Sequence, residues 1–286
     1  MADISVTSGT LVVNKEGTAT LINADFTGNG SLLVEGALDV GLSEHVGNIS
    51  FNTNQVSNDP EIDNPASLVI GTEGVFSLNS GTEFTMRNSS YMQILRDDVK
   101  FVGAFNAYHA TINLLGSASA NYAARHQIGG AMNLNYSTLN MTGFTSLGGA
   151  IIGDDLVLGK LVINNYSAVE FSGENAIDNV LGSITVNYGS VLVSYQNINL
   201  NYLLPDGFNS SCVLKVSEGS RMYMAGESFL TLGDNLIGDY GKNNVFRGVS
   251  VNLDDDSGLY LQENSSLVYN VDVTDVVGEN NIFAVS

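Results

Sequence analysis

Residues 68–94 read LVIGTEGVFSLNSGTEFTMRNSSYMQI, and one small unit occurs in them four times at a spacing of eight residues. Each unit has two apolar residues that flank a single outward residue. The apolar pairs are Leu68/Ile70, Phe76/Leu78, Phe84/Met86 and Met92/Ile94. This alternation is typical of a strand with one buried face, and the small or polar residues between the pairs are typical of turns. Short strands joined by regular corners predict a chain that winds into a solenoid.

The same step recurs along most of the chain. Three further pairs in register are Leu214/Val216, Met222/Met224 and Leu230/Leu232. Tighter copies, with four residues in the corner, are Met132/Leu134 to Leu139/Met141 and Ile184/Val186 to Val191/Val193. Three faces of eight residues would make a turn of about 24 residues, and about 12 such turns would give a rod of about 55–60 Å at the spacing of paired strands.

The predicted fold is therefore all-β, a parallel β-helix or solenoid with short strands at about eight-residue spacing. An antiparallel β-sandwich is the alternative, because it also has short alternating strands and regular turns. Residues 1–56 are interpreted as an N-terminal β section, either separate or capping, since a polar segment with two prolines follows it. Residues 57–286 are interpreted as the solenoid body, with an irregular insertion at 97–131. Within that insertion, 118–128 is the one segment expected to form a short helix.

Charge and composition exclude several classes of partner. The chain has 30 Asp and Glu against 10 Lys and Arg, a net charge of −20, which argues against binding to nucleic acid or to an anionic membrane. No apolar run approaches the roughly 20 residues of a membrane span, and the first residues show no signal peptide. The single cysteine, Cys212, allows no intrachain disulfide. Eight Asn-x-Ser/Thr sequons are attributed to the abundance of these residues.

Acidic clusters are the only residues that suggest catalysis. They are Asp97/Asp98, Asp154/Asp155 and the run Asp254 to Asp256. Hydrolysis of a glycan needs two facing carboxylates, whereas these clusters stand at corners or after glycines, where solvated carboxylates cost little. The three histidines lack the spacing of a zinc site, and no calcium or phosphate-binding motif is present. We therefore expect no enzymatic activity, no metal and no cofactor.

Residues 97–131 are the clearest break in the repeat and the predicted place for a contact. Loops on a rigid scaffold commonly carry recognition, and this segment is rich in aromatic residues and histidine. The candidate ligand or receptor contacts are Tyr108, His109, Tyr122, Arg125 and His126. The alternative is an irregular turn of the solenoid without a binding role.

Two stretches carry a family resemblance: ASLVIGTEGVFSLNSGTEFTMRN at 66–88 and CVLKVSEGSRMYMAGESFLTLGDN at 212–235. In their pattern of corners and strands they resemble right-handed parallel β-helix proteins, above all bacteriophage fibre and spike proteins and the passenger regions of autotransporter adhesins. The resemblance implies a non-enzymatic structural protein of a virus particle, a head or tail fibre or decoration component that contacts host surface glycans. It also implies a homotrimer that contacts other virion proteins. The alternatives are a fragment of a bacterial cell-surface adhesin and a polysaccharide depolymerase.

Overall fold

A computed structural model describes residues 2–5, 10–14, 16–21, 24–27, 31–34, 37–40, 48–52, 67–70, 75–78, 83–87, 91–95, 99–115, 126–142, 147–152, 155–172, 178–200, 212–232, 250–253 and 256–269. These residues form strands and the corners between them, and no helix occurs among them. The first twelve strands are β1 (Ala2–Ser5), β2 (Thr10–Val13), β3 (Thr18–Leu21), β4 (Ala24–Thr27), β5 (Ser31–Val34), β6 (Ala37–Val40), β7 (Asn48–Asn52), β8 (Ser67–Ile70), β9 (Val75–Leu78), β10 (Glu83–Arg87), β11 (Tyr91–Ile94) and β12 (Lys100–Phe101). The next ten are β13 (Ala104–Tyr108), β14 (Thr111–Leu115), β15 (His126–Ile128), β16 (Ala131–Asn135), β17 (Thr138–Thr142), β18 (Leu147–Ile152), β19 (Asp155–Val157), β20 (Lys160–Asn164), β21 (Ala168–Phe171) and β22 (Asp178–Leu181). The last nine are β23 (Ser183–Val186), β24 (Val191–Ser194), β25 (Asn197–Leu200), β26 (Cys212–Val216), β27 (Arg221–Met224), β28 (Phe229–Leu232), β29 (Ser250–Leu253), β30 (Gly258–Leu261) and β31 (Ser266–Tyr269).

The strands form three faces that the chain visits in turn. Face 1 is a ten-stranded sheet in the order β1-β4-β7-β10-β13-β16-β20-β23-β26-β29, and face 2 is a ten-stranded sheet in the order β2-β5-β8-β11-β14-β17-β21-β24-β27-β30. Face 3 has two sheets. The first has the order β3-β6-β9-β12-β15-β18, and the second has the order β22-β25-β28-β31. All pairings within the three faces are parallel, and β19 adds one antiparallel partner to β18. This confirms the all-β parallel solenoid and excludes the antiparallel sandwich.

Asn179 joins the two sheets of face 3. It is fully buried, and its side-chain oxygen accepts a hydrogen bond from the Leu147 backbone N–H at 2.9 Å. Its side-chain nitrogen donates to Gln196 Oε1 at 2.9 Å and to the Asn197 carbonyl at 3.1 Å. Asn179 therefore connects the two sheets, and its hydrogen bonds offset the cost of burying the amide.

The apolar pairs of the repeat line a single core inside the three faces. Leu68, Ile70, Met92 and Ile94 are completely buried, and so are the corresponding residues of the C-terminal turns, from Leu214 to Leu232. The eight-residue pattern therefore predicted both the strands and their inward side chains. One pair was assigned to the wrong face: in β24 the structure buries Leu192 and Ser194, while Val191 and Val193 point outward.

The described strands make ten turns where the sequence predicted about 12. Register partners on face 2 are 20 residues apart at Tyr91 and Thr111 but 37 apart at Arg221 and Gly258. Some turns therefore use more than the 24 residues that the sequence predicted. At about 4.8 Å per turn, the ten turns extend for about 43 Å.

Residues 97–131 belong to the regular solenoid far more than the sequence suggested. β12, β13 and β14 make one complete turn and bury Phe101, Phe105 and Leu114, and β15 begins the next. Of the expected helix at 118–128, the last three residues form β15, and the rest lies outside the described residues. The sheets also run through the expected boundary near residue 56, because β7 pairs with β10 in face 1.

Candidate functional site

In five successive turns of the solenoid, here called rungs, the corner between faces 1 and 2 bends through the left-handed region, over two residues in the first two rungs and over three or four in the next three. Each turn has a residue in the left-handed region, with φ of 51° at His109, 49° at Tyr136, 57° at Tyr166, 54° at Tyr188 and 56° at Glu218. A buried serine follows one or two residues later in the last four of these turns. The left-handed residue bends the chain sharply, so that a strand of face 1 passes directly into a strand of face 2.

The inside of this corner is a ladder of buried serines. The backbone N–H groups of Ser137, Ser167 and Ser190 donate to the hydroxyl oxygens of Ser167, Ser190 and Ser220 in the next rung, at 3.0, 3.2 and 3.1 Å. The Ser167 hydroxyl in turn donates to the Asn164 carbonyl at 2.6 Å. Each turn is thereby fastened to the next by side-chain hydrogen bonds as well as by the backbone ladder.

We expect Ser167→Ala to lower the free energy of unfolding by about 2 kcal/mol, because it leaves the buried Ser137 N–H and the Asn164 carbonyl without these partners. Urea unfolding followed by circular dichroism measures the change. Ser172→Ala is the matched control: the exposed Ser172 hydroxyl donates to the Met141 carbonyl at 3.1 Å, and water can replace it. Equal effects of the two substitutions would contradict a role for burial in the ladder.

The outside of the same corner carries a row of exposed aromatic rings. We call Tyr108, His109, Tyr136, Tyr166 and Tyr188 the aromatic corner. The exposed fractions of the four tyrosines are 39%, 50%, 75% and 52%, and His109 is exposed as well. The His109 and Tyr136 rings are parallel with centroids 4.8 Å apart, and the Tyr136 and Tyr166 centroids are 6.4 Å apart. The His109, Tyr136 and Tyr166 rings thus follow the stacking of β13, β16 and β20 in face 1, and the Tyr166 ring lies against Gly189, next to Tyr188 in the following turn.

Aromatic side chains at these positions oppose the local preferences of the chain. The left-handed region is unfavourable for bulky residues, and exposed tyrosines gain little from burial. The next rung makes the corresponding turn with Glu218 and Gly219, so an aromatic ring is not needed to form the turn. Left-handed residues also occur at other corners, for example at Glu227, Asp256 and Glu263, so it is the row of exposed aromatic rings on these turns that marks the aromatic corner as a candidate.

Amide side chains flank the rings. Asn165 Nδ2 donates to Asn135 Oδ1 at 3.0 Å, and Asn187 Nδ2 donates to Asn164 Oδ1 at 3.0 Å. These amides are partly exposed. Within the part of the chain that the structure describes, the hydroxyls of Tyr136, Tyr166 and Tyr188 form no hydrogen bond with the protein. The corner therefore combines apolar ring surface with polar groups that face solvent, as ligand-binding surfaces do.

Only two of the five contact residues expected from the sequence lie in the aromatic corner. Tyr108 and His109 stand at its first turn. His126 is 1% exposed on the inward side of β15, so its side chain is in the core and not at the surface as expected. Tyr122 and Arg125 lie outside the described residues.

Sequence reasoning missed Tyr136, Tyr166 and Tyr188, although a signal was present. The tripeptide Asn-Tyr-Ser occurs at 135–137 and 165–167, and Asn-Tyr-Gly-Ser occurs at 187–190. Two of these are sequons, and the abundance of Asn and Ser is sufficient to explain sequons in this chain. In the structure they form a corner motif: the Asn amide hydrogen-bonds to an Asn of an adjacent rung, the Tyr ring is exposed, and the Ser hydroxyl is buried.

The acidic clusters of the sequence fall mostly outside the described residues. That applies to Asp97, Asp98, Asp154 and the pair at 254–255, while Asp256 is exposed at a corner with φ of 62°. Among the described residues no three metal-ligating side chains come together. The same residues contain no helix long and apolar enough to cross a membrane.

Comparison with known proteins finds no family model, no curated protein and no solved structure that matches the chain.

Proposed function

We propose that this protein is a non-enzymatic structural component of a virus particle, a head or tail fibre or decoration protein, whose aromatic corner contacts glycans on a host surface. The observation that carries the contact role is the row of exposed rings on strained turns. The virion assignment rests on the resemblance of the repeat to phage fibre and spike proteins. On the same ground we propose that the chain assembles with itself, as a homotrimer, and with other virion proteins.

The solenoid suits a mechanical role. Parallel ladders run through all ten strands of faces 1 and 2, and the core is a single column of apolar side chains, so local opening breaks many interactions at once. The corner adds the serine ladder to these interactions. This supports a protein that stays folded outside the cell without a disulfide, as a fibre component must.

The aromatic corner suits a sugar ligand. Aromatic faces carry negative partial charge, and the C–H groups on the face of a pyranose ring are weakly positive, so the two surfaces attract one another. The flanking amides and tyrosine hydroxyls supply donors and acceptors for sugar hydroxyls. Single-stranded nucleic acid also stacks on aromatic rows, but it needs a basic groove, and a net charge of −20 opposes it.

Two other functions make different use of this surface. A bacterial cell-surface adhesin would use the same row of rings, and only the location of the protein would separate it from a virion component. A polysaccharide depolymerase would need facing carboxylates about 5–10 Å apart and would release products from its glycan. Release of reducing ends during prolonged incubation with a bound polysaccharide would therefore overturn the non-enzymatic assignment.

Binding to an array of neutral and charged glycans tests the proposal. We expect Tyr136→Asn and Tyr166→Asn, separately, to weaken binding about fivefold, since each removes one ring contact worth about 1 kcal/mol. Both variants should be as stable as the parent or more so, because asparagine tolerates the left-handed backbone better than tyrosine.

Phe229→Asn is the control for this experiment. Phe229 is 47% exposed on face 3, away from the aromatic corner, so its loss should leave binding unchanged. Lowered stability in the tyrosine variants with unchanged binding would show that the rings only stabilise the corner. Absence of glycan binding by the parent protein would overturn the contact role.

A further inference from the structure

Two further tyrosines stack on the outer surface of face 2, outside the aromatic corner. Tyr223 of β27 and Tyr260 of β30 are register partners in adjacent strands, and their outward side chains are partly exposed. Their ring centroids are 4.9 Å apart, and the ring planes are inclined by 18° to one another. We infer that this pair is a modification site, at which hydrogen peroxide and a haem peroxidase join the two rings as dityrosine.

Coupling of the two rings consumes one molecule of hydrogen peroxide. Each phenol gives up one electron and one proton, and these reduce the peroxide to two molecules of water. The unpaired electron left on each phenoxyl radical is shared by its Cε carbons, in an orbital perpendicular to the ring. One Cε of each ring joins the other in a C–C bond, and the hydrogen on each of these carbons moves to the phenoxyl oxygen, which restores both phenols. Near-parallel rings point these orbitals at one another, and rotation of the partly exposed side chains closes the remaining gap.

Gly258 gives the Tyr260 ring the space that it occupies. A Cβ at residue 258 would lie 2.6 Å from Cε2 and 2.8 Å from Cζ of Tyr260, so the ring lies across the Gly258 backbone. A side chain at 258 would therefore displace this ring from its place beside Tyr223. In the aromatic corner, by comparison, the Tyr136 and Tyr166 rings are 6.4 Å apart and inclined by 30°, which is a less favourable geometry for coupling.

The new bond fastens the rung of β29, β30 and β31 to the rung before it. Among the residues that the structure describes, these three strands pair only with β26, β27 and β28, on one side of the rung. The chain has one cysteine, so a disulfide within the chain cannot hold them. A bond between residues 37 positions apart restricts the local opening of this rung, because it limits how far β30 can separate from β27.

Peptide mapping after oxidation tests the inference. The full chain is treated with hydrogen peroxide and a haem peroxidase at high dilution, which suppresses coupling between molecules. After proteolysis, tandem mass spectrometry identifies joined peptides, which have lost two hydrogen atoms, and the residues that are joined. We expect the Tyr223–Tyr260 product to be about tenfold more abundant than any other tyrosine pair, because these rings are held together before they react. Amide exchange in β30 should be about tenfold slower in the joined protein.

Three variants separate ring geometry from the general reactivity of tyrosine. Tyr223→Phe removes one phenol and should abolish the product, whereas Gly258→Ala keeps both phenols, displaces one ring and should lower the yield about tenfold. Tyr91→Phe is the matched control: Tyr91 is a partly exposed tyrosine of face 2 whose hydroxyl accepts a hydrogen bond from Asn113 Nδ2 at 2.8 Å, and its loss should leave the yield unchanged.

An undiminished yield in Gly258→Ala, or a Tyr223–Tyr260 product no more abundant than other joined pairs, would overturn the inference. Unchanged exchange of β30 in the joined protein would contradict the fastening of the rung. The glycan contact proposed above uses other residues, so these outcomes and those of the glycan array are independent.

Discussion

Gly130→Ala is expected to lower the free energy of unfolding by about 3 kcal/mol, because the added methyl group has no space. Gly130 stands between β15 and β16, at the corner between faces 3 and 1. A Cβ there would lie 2.0 Å from the carbonyl oxygen of Gly103 and 2.7 Å from that of Val102. Both atoms belong to the backbone of the adjacent rung, which cannot move as a side chain can. Urea unfolding followed by circular dichroism should show the loss as a lower midpoint.

Backbone hydrogen bonds to the rungs on both sides prevent the backbone at Gly130 from moving to make room for a methyl group. The Gly130 N–H donates to the Phe101 carbonyl at 3.2 Å, and the Lys160 N–H donates to the Gly130 carbonyl at 2.9 Å. Moving the backbone at this corner would therefore disturb the rungs on both sides. Gly159 repeats the arrangement one turn later, where a Cβ would lie 2.6 Å from the Ile128 carbonyl oxygen.

Gly219→Ala is the control that separates close packing from backbone conformation. Gly219 has φ of 73°, and no heavy atom lies within 4 Å of a Cβ built on it. Alanine there should cost about 1 kcal/mol, from the left-handed backbone alone. A Gly130 variant no less stable than the Gly219 variant would show that adjacent rungs do not approach as closely at the face 3 to face 1 corner as the structure indicates.

The strands were predictable from sequence because the pattern that defines them is local. A buried apolar pair every eight residues follows from the pleat of a strand and the length of a corner, and it located β8 to β11 and β26 to β28 correctly. It failed in β24, where Ser194 is inward and hydrogen-bonds its hydroxyl to the Gln196 carbonyl at 2.7 Å. Because serine is polar, a hydrophobicity pattern assigns it to the outward face, even where its hydroxyl forms a hydrogen bond inside the protein and the side chain is buried.

The turn formed by β12 to β14 shows a second limit. Its corners are short, and one of its inward residues is the small Ala107. The eight-residue spacing between pairs of large apolar residues is therefore not visible in this part of the sequence. The segment therefore resembled an insertion, although it stacks in register between β10 and β16.

The aromatic corner could be predicted only in part. The enrichment of aromatic residues near 97–131 pointed to Tyr108 and His109, which do belong to it. The other rings come from turns 27 to 80 residues away in sequence, and only the stacking of the rungs brings them to one corner. A repeat found from apolar residues alone does not reveal what its corners share.

The second large effect is expected at Phe105, where replacement by alanine should cost about 4 kcal/mol. Phe105 is fully buried, and its ring contacts those of Phe84 and Phe101 at centroid distances of 5.7 and 5.4 Å. Phe76 closes the group, 5.9 Å from Phe84 and 5.6 Å from Phe101. The four rings come from two successive turns, so alanine leaves a cavity that neither turn can fill without losing its register.

Two variants control for the chemistry of the Phe105 substitution. Phe105→Leu keeps most of the buried volume and should cost about 1.5 kcal/mol. Phe229→Ala removes a phenylalanine that is 47% exposed and should cost under about 1 kcal/mol. Unfolding midpoints in urea rank the three variants, and an alanine at 105 no worse than one at 229 would contradict the buried cluster.

Hydrogen exchange adds a readout of where the stability is lost. In a solenoid each turn contacts mainly its neighbours, so Phe105→Ala should raise exchange most in β10, β13 and β16 and least in the C-terminal turns. β13 also ends at Tyr108, so its register sets the start of the aromatic corner. If the aromatic corner contacts a glycan as proposed, Phe105→Ala should also weaken that binding, because it loosens the turn that carries Tyr108 and His109.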